Sequence, residues 1–220
     1  MKGIKPLLGI LIVTTPLAME VNGQIVSNLV VDAQADIFAA GLVAPPALLT
    51  HDGRPGGGGI LPPAVVLAPG IRSVAFNASG SVAFTTQTST NGPDGSSGNT
   101  DISSYGGISG IVADRRFFLT GVFLAATGQP SSPPAALDFS TGAPGTDFLN
   151  LSPSLGQLFF IGDGLAGAGS GDVQKFIVPP GATTLFLGFA DAPDFSGTPG
   201  TYDDNSGSLT VAVTQFWSNR

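Results

Sequence analysis

A chain of 220 residues with 42% hydrophobic side chains is long enough to bury a core and too apolar to be a disordered segment. Its net charge of −7 leaves no basic stripe to neutralise phosphates, which argues against nucleic acid and against an anionic membrane surface. The absence of Cys and the single His51 exclude disulfides, thiolate metal sites and histidine-rich metal clusters.

At the N-terminus Lys2 and Lys5 precede an apolar run from Pro6 to Met19, with Val21 and Gly23 at the spacing of a cleavage site. The run is shorter than the roughly 20 residues a membrane span needs. Residues 1–23 therefore read as a secretory signal peptide, and 24–220 as a single secreted domain at the cell surface or beyond, with no membrane span.

The segment 24–36 starts like a strand, with Ile25, Leu29, Val30 and Val31. Residues 44–70 are rich in Pro and Gly and read as a long surface loop holding a short strand around Ala64–Leu67. Strands follow at Ser73–Phe76 and Gly80–Thr86, with Asn77-Ala-Ser-Gly80 as a hairpin-like turn. Residues 87–107 are polar and read as a second long loop. Phe117–Ala126 reads as one buried strand and 129–145 as a Pro-rich loop. Strands at Leu158–Ile161, Lys175–Val178, Thr184–Ala190 and Leu209–Phe216 complete the chain, the last with Leu209, Val211 and Val213 on one face and Thr210 and Thr214 on the other.

No stretch has helical periodicity, and 32 Gly and 18 Pro call for many turns. Fifteen Phe against two Tyr and one Trp predict a dry aromatic core. The expected fold is all-β, an antiparallel β-sandwich.

Every acidic residue except Glu20 is Asp, a turn residue and a hard-cation ligand. In the stretch 199–211, PGTYDDNSGSLTV, Asp203 and Asp204 are neighbours followed by Asn205, with Asp191 and Asp194 just upstream. Adjacent carboxylates repel unless they diverge or are neutralised. A Ca²⁺ ion takes six to eight oxygens from carboxylates, amides and backbone carbonyls. Asp191, the backbone oxygen near Thr201, Asp204 and Asn205 form such a donor set; a solvated turn without an ion is the competing reading.

The segment KFIVPPGATTLFLGFAD from Lys175, followed after an insertion by PGTYDDNSGSLTV, resembles the C-terminal half of the PA-IL family of bacterial galactose-binding lectins. The resemblance implies a jelly-roll-like sandwich of the galactose-binding-domain type. It further implies one Ca²⁺ at this loop, completed by two sugar hydroxyls. Asp191, the Thr201 carbonyl, Asp204 and Asn205 would be the metal ligands, and Asp191, Asp204 and Asn205 the sugar contacts. The insertion APDFSGT makes Asp194 a rival to Asp191, and Asp204 stands where the family has Asn. A further backbone ligand before a Gly-Pro matches Asn91. The family's His-Pro-x-Gln sugar-reading segment has no counterpart.

Other constellations point less far. The glycines between Phe159 and Gly171 lack the Lys and the helix of a phosphate loop. His51-Asp52 has no nucleophile elbow beside it. Asp163 and Asp172 form a conceivable glycosidase pair. Tyr105, Tyr202 and Trp217 are candidate sugar-stacking aromatics, although the resemblance implies that Tyr202, in the loop, packs rather than stacks. The expectation is a secreted, calcium-dependent carbohydrate-binding protein and not an enzyme, its partner a galactose-like or other glycan. The alternative is an extracellular structural or self-assembling protein, a homo-oligomer being one outcome, in which calcium only stabilises the fold.

Overall fold

The computed structural model describes residues 19–217 apart from 22, 57, 86–89, 143–144 and 168. Most of the expected signal peptide lies outside the described residues.

Strands β1 (Met19–Val21) and β2 (Gln24–Asp32) form an antiparallel hairpin. After it, Asp36 caps a short 3₁₀ turn, Ile37–Ala39, its carboxylate accepting from the Phe38 amide at 2.9 Å. Then follow β3 (Ala64–Val66), β4 (Ser73–Ala83), β5 (Ser96–Ile102), β6 (Ile111–Arg116) and β7 (Thr120–Ala125). Short strands β8 (Leu137–Phe139), β9 (Asn150–Leu151), β10 (Phe159–Phe160) and β11 (Lys175–Ile177) precede β12 (Ala182–Gly188), β13 (Ser196–Gly197) and the long closing β14 (Ser206–Phe216).

Among the described residues these strands make three sheets, ordered β1-β2-β14-β4-β11-β9, β10-β7-β12-β3 and β13-β5-β6-β8. The long ladders are antiparallel; the short pairs β9–β11, β5–β13 and β6–β8 are parallel. The expected all-β antiparallel sandwich is therefore the fold found.

Aromatic rings join the layers. Phe159 of the second sheet lies 5.1 Å from Phe176 of the first and 5.2 Å from Phe123. Phe139 of the third sheet meets Phe160 at 6.0 Å. Each such buried ring contributes about 1.5–3 kcal/mol by leaving water. The alternation read in β14 is present: Leu209, Val211 and Val213 are buried while Thr210 is exposed.

Several sequence expectations are corrected. Asn77–Gly80 is no turn but the middle of an unbroken β4, because each residue finds a partner on β14, from Asn77–Ala212 to Gly80–Leu209. The polar segment 87–107 contains β5. The expected strand Phe117–Ala126 is shorter, β7 starting only at Thr120, because the chain breaks after β6 at Phe117, whose φ is 52°.

Two features position the site. The chain leaves the second sheet at the end of β12, loops through 189–205, and enters the first sheet as β14. The long loop after Ala40 is stitched onto that crossing: Thr201 donates its amide to the Leu49 carbonyl at 2.7 Å, and Ile60 and Gln34 are joined at 2.8 Å.

Candidate functional site

The loop is built around Asp191, which is almost fully buried. Its carbonyl accepts from the Gly200 amide at 2.9 Å, so the excursion 192–199 starts and ends at one place. One carboxylate oxygen accepts from the Ala192 amide and the other from the Asn205 side-chain amide, each at 2.8 Å. Burial pushes the Asp191 carboxyl well above the usual carboxylate range, against the pull of the Asn205 bond.

Tyr202 is fully buried behind the loop. Its hydroxyl donates to the Phe189 carbonyl at 3.0 Å and accepts from the Asp191 amide at 3.3 Å. Tyr202 is thus a scaffold residue, not a stacking surface. Gln34 also grips the loop, donating to the Asn205 carbonyl at 3.2 Å.

The neighbouring carboxylates diverge. Asp203 accepts from the His51 amide at 2.8 Å and meets the His51 ring Nδ1 at 2.6 Å. Partial burial raises its carboxyl, but the His51 contacts outweigh this and hold it below the ordinary value, while Asp203 in turn raises His51. Asp204 belongs to the cleft instead. Its Oδ1 is buried with no hydrogen-bond donor among the described residues, and so is Oδ1 of Asn205. Burial first, then the charge of Asp203, raises the Asp204 carboxyl.

Asp191, Thr201 and Asp204 line one cleft of about 300 Å³, and Asn205 joins them through its bond to Asp191. The backbone at Thr201 is left-handed, with φ 67°. Asp194 also lines the cleft but is exposed, so of the two rivals Asp191 is the buried, anchored one. Asn91 is not among the lining residues; its carbonyl accepts from the Val82 amide at 2.9 Å. Among the described residues no three His, Cys, Asp or Glu side chains converge as a metal cluster. The donors present are instead mixed oxygens: two carboxylates, an amide oxygen and nearby backbone.

The rest of the lining was not read from the sequence. Phe84, Phe195, Arg116 and His51 also line the cleft, drawn from four separate segments. Phe195 comes from the insertion between Asp191 and Pro199, where Asp194 and Phe195 take left-handed φ values of 53° and 57°. Its ring is edge-on to Phe84 at 4.9 Å and lies 6.4 Å from Phe117, which stacks on Phe189 at 4.6 Å. The residue type alone carried no signal, because Phe is abundant in this core.

Tyr105 and Trp217 lie elsewhere; Trp217 donates its indole N–H to the Pro69 carbonyl at 3.2 Å. Among the described residues His51 pairs with Asp203 and with no serine hydroxyl. Asp163 accepts from the Leu165 amide at 2.9 Å, the ordinary bond of an Asx turn.

No protein-family model matches this chain, and no curated protein matches it. A solved structure described as "EclA N-terminal domain; PllA-like lectin" is similar at 17% identity and a TM-score of 0.34, covering 86% of this chain and 94% of that one.

Proposed function

We propose that this chain binds a calcium ion at the 191–205 loop and uses it to hold a carbohydrate in the adjoining cleft, as a lectin-like, non-catalytic protein acting outside the cell. One observation carries the reading. Two adjacent side chains, Asp204 and Asn205, each bury an oxygen with no donor, next to the buried carboxylate of Asp191. An unpartnered buried acceptor costs about 1–3 kcal/mol. A cation would give both orphaned oxygens a partner at once and offset the charge of the buried Asp191 carboxylate.

The donors are hard oxygens, which suit Ca²⁺ or Mg²⁺ and not a soft metal. Their irregular, loop-borne arrangement suits the flexible coordination of Ca²⁺ better than the strict octahedron of Mg²⁺. Asp191, Asp204 and Asn205 would give side-chain oxygens and Thr201 its carbonyl. The ion would supply a positive centre for sugar hydroxyls. This chain's own part is to hold the donors rigid, through Tyr202 and Gln34, and to shape the cleft.

A second reading has its own observation. The loop around 48–60 is fastened to the site through Leu49–Thr201 and His51–Asp203, so an ion there would also staple the fold. Thermal melting with Ca²⁺ and with EDTA tests the ion: a calcium-dependent rise lost in the double variant Asp204→Ala, Asn205→Ala is expected, and no rise in the native chain overturns the metal reading. Retention on immobilised sugars, abolished by EDTA, then separates carbohydrate binding from stapling alone.

A further inference from the structure

Arg116 ends β6 beside the cleft, and three contacts hold its side chain there. Its stem lies flat on Gly98 of β5: a Cβ at position 98 would come within 2.8 Å of Arg116 Cδ and 2.6 Å of Nε. The φ of Gly98 is +135°, a conformation open to glycine alone in practice. Nε donates to the Asn99 carbonyl at 3.2 Å. The guanidinium carbon sits 5.5 Å from the centroid of the Phe195 ring. The group is preorganised on an aromatic face, a favourable seat for a cation.

What the guanidinium lacks is an acid. The chain holds 15 acidic residues against 8 basic ones, yet among the described residues Arg116 makes no ion pair. Its neighbour Arg115 is occupied differently, with Nε donating to the Asp94 carbonyl at 2.6 Å. The acids around the cleft are otherwise engaged: Asp203 by His51, and Asp191 and Asp204 by the proposed ion. Among the described residues lining the cleft, Asp194, which is exposed, is the one acid left.

We infer that the ligand is an acidic sugar, whose hydroxyls meet the ion while an anionic oxygen pair, carboxylate or sulfate, meets the terminal nitrogens of Arg116. This rests on the function proposed above and adds the substrate class. The planar guanidinium presents paired N–H groups that match such an oxygen pair in a bidentate, charge-assisted contact. A neutral sugar would leave that charge merely hydrated. The Phe84–Phe195 wall would cover the apolar face of the ring between the two anchors.

The test uses the full chain with Ca²⁺ at fixed ionic strength. Calorimetric titrations compare galactose with galacturonate, glucose with glucuronate and mannose with mannuronate, and galactose with its 6-sulfate. The expected result is that at least one anionic member binds roughly tenfold tighter than its neutral parent. Uronates separate the carboxylate source from the sulfate source. Arg116→Gln should erase the preference while keeping the calcium-induced rise in Tm, and Arg116→Lys should retain part of it. Equal or better binding of every neutral parent overturns the inference, as does a preference that survives Arg116→Gln, or binding of no sugar by a chain that still shows the calcium rise. Loss of the calcium rise in the native chain instead sinks the metal reading beneath it.

Discussion

Asn205 donates its side-chain amide to Oδ2 of Asp191 across 2.8 Å, and this bond fixes which way the Asn205 amide is turned. With the nitrogen committed to Asp191, the oxygen must face the other way, where no donor waits. Asn205→Ala removes both the clamp on Asp191 and one of the proposed metal ligands. In EDTA its stability should fall by about 1–2 kcal/mol, and its rise in Tm with Ca²⁺ should disappear. Paired melts in the two buffers check both parts; a variant that keeps the full calcium rise counts against Asn205 as a ligand.

Tyr202 acts from behind. Tyr202→Phe keeps the packing and loses the hydroxyl that joins the Phe189 carbonyl to the Asp191 amide. The expected cost is about 1–3 kcal/mol by denaturant unfolding, with weaker calcium binding through a looser Asp191. Unchanged stability would show that the hydroxyl does not hold the loop.

Asp36 sets a pH dependence. Burial raises its carboxyl from 3.8 to about 6, against the pull of the Phe38 amide. The folded state therefore holds a proton that the unfolded state releases between those two values. The associated stability is fully present below about pH 4 and is lost as pH rises through about 6, by at most about 3 kcal/mol. Stability curves from pH 4 to 7 for the native chain and Asp36→Asn should diverge over this window, the native chain losing more. Parallel curves would refute it.

The loop ahead of β3 offers a matched pair. A Cβ on Gly59 would lie 2.6 Å from Asp36 Cβ and 2.7 Å from the Gln34 carbonyl, both fixed. Gly59→Ala should cost about 1–3 kcal/mol through overpacking. At Gly58 nothing lies within 4 Å, and Gly58→Ala should be neutral or slightly stabilising. Equal effects at the two positions would show that this loop does not pack as described.

The legible part of the site was its local part. Asp191, Thr201, Asp204 and Asn205 sit within one short segment, and the turn residues around them announce a compact loop. His51, Phe84 and Arg116 reach the cleft from distant strands and loops, and no local pattern marks them. The misread elements have similar causes. Asn77–Gly80 has turn chemistry, but its register along β14 gives its backbone ladder partners that outweigh it. Strand β5, Ser-Ser-Gly-Asn-Thr-Asp-Ile, has only Thr100 and Ile102 buried, so it carries almost no apolar alternation to read.

The Gln34 clasp on the loop has a consequence for how the molecule folds. Gln34 and Asp203 lie 169 residues apart, and β2 leads straight to the one as β14 leads away from the other. Closing so long a stretch of chain comes before any of these contacts is gained, which makes such topologies slow to fold. The 191–205 loop and the β2–β14 seam should therefore appear together and late, in one cooperative step. Until then the edge of β4 that β14 covers stays open to pairing with a neighbour.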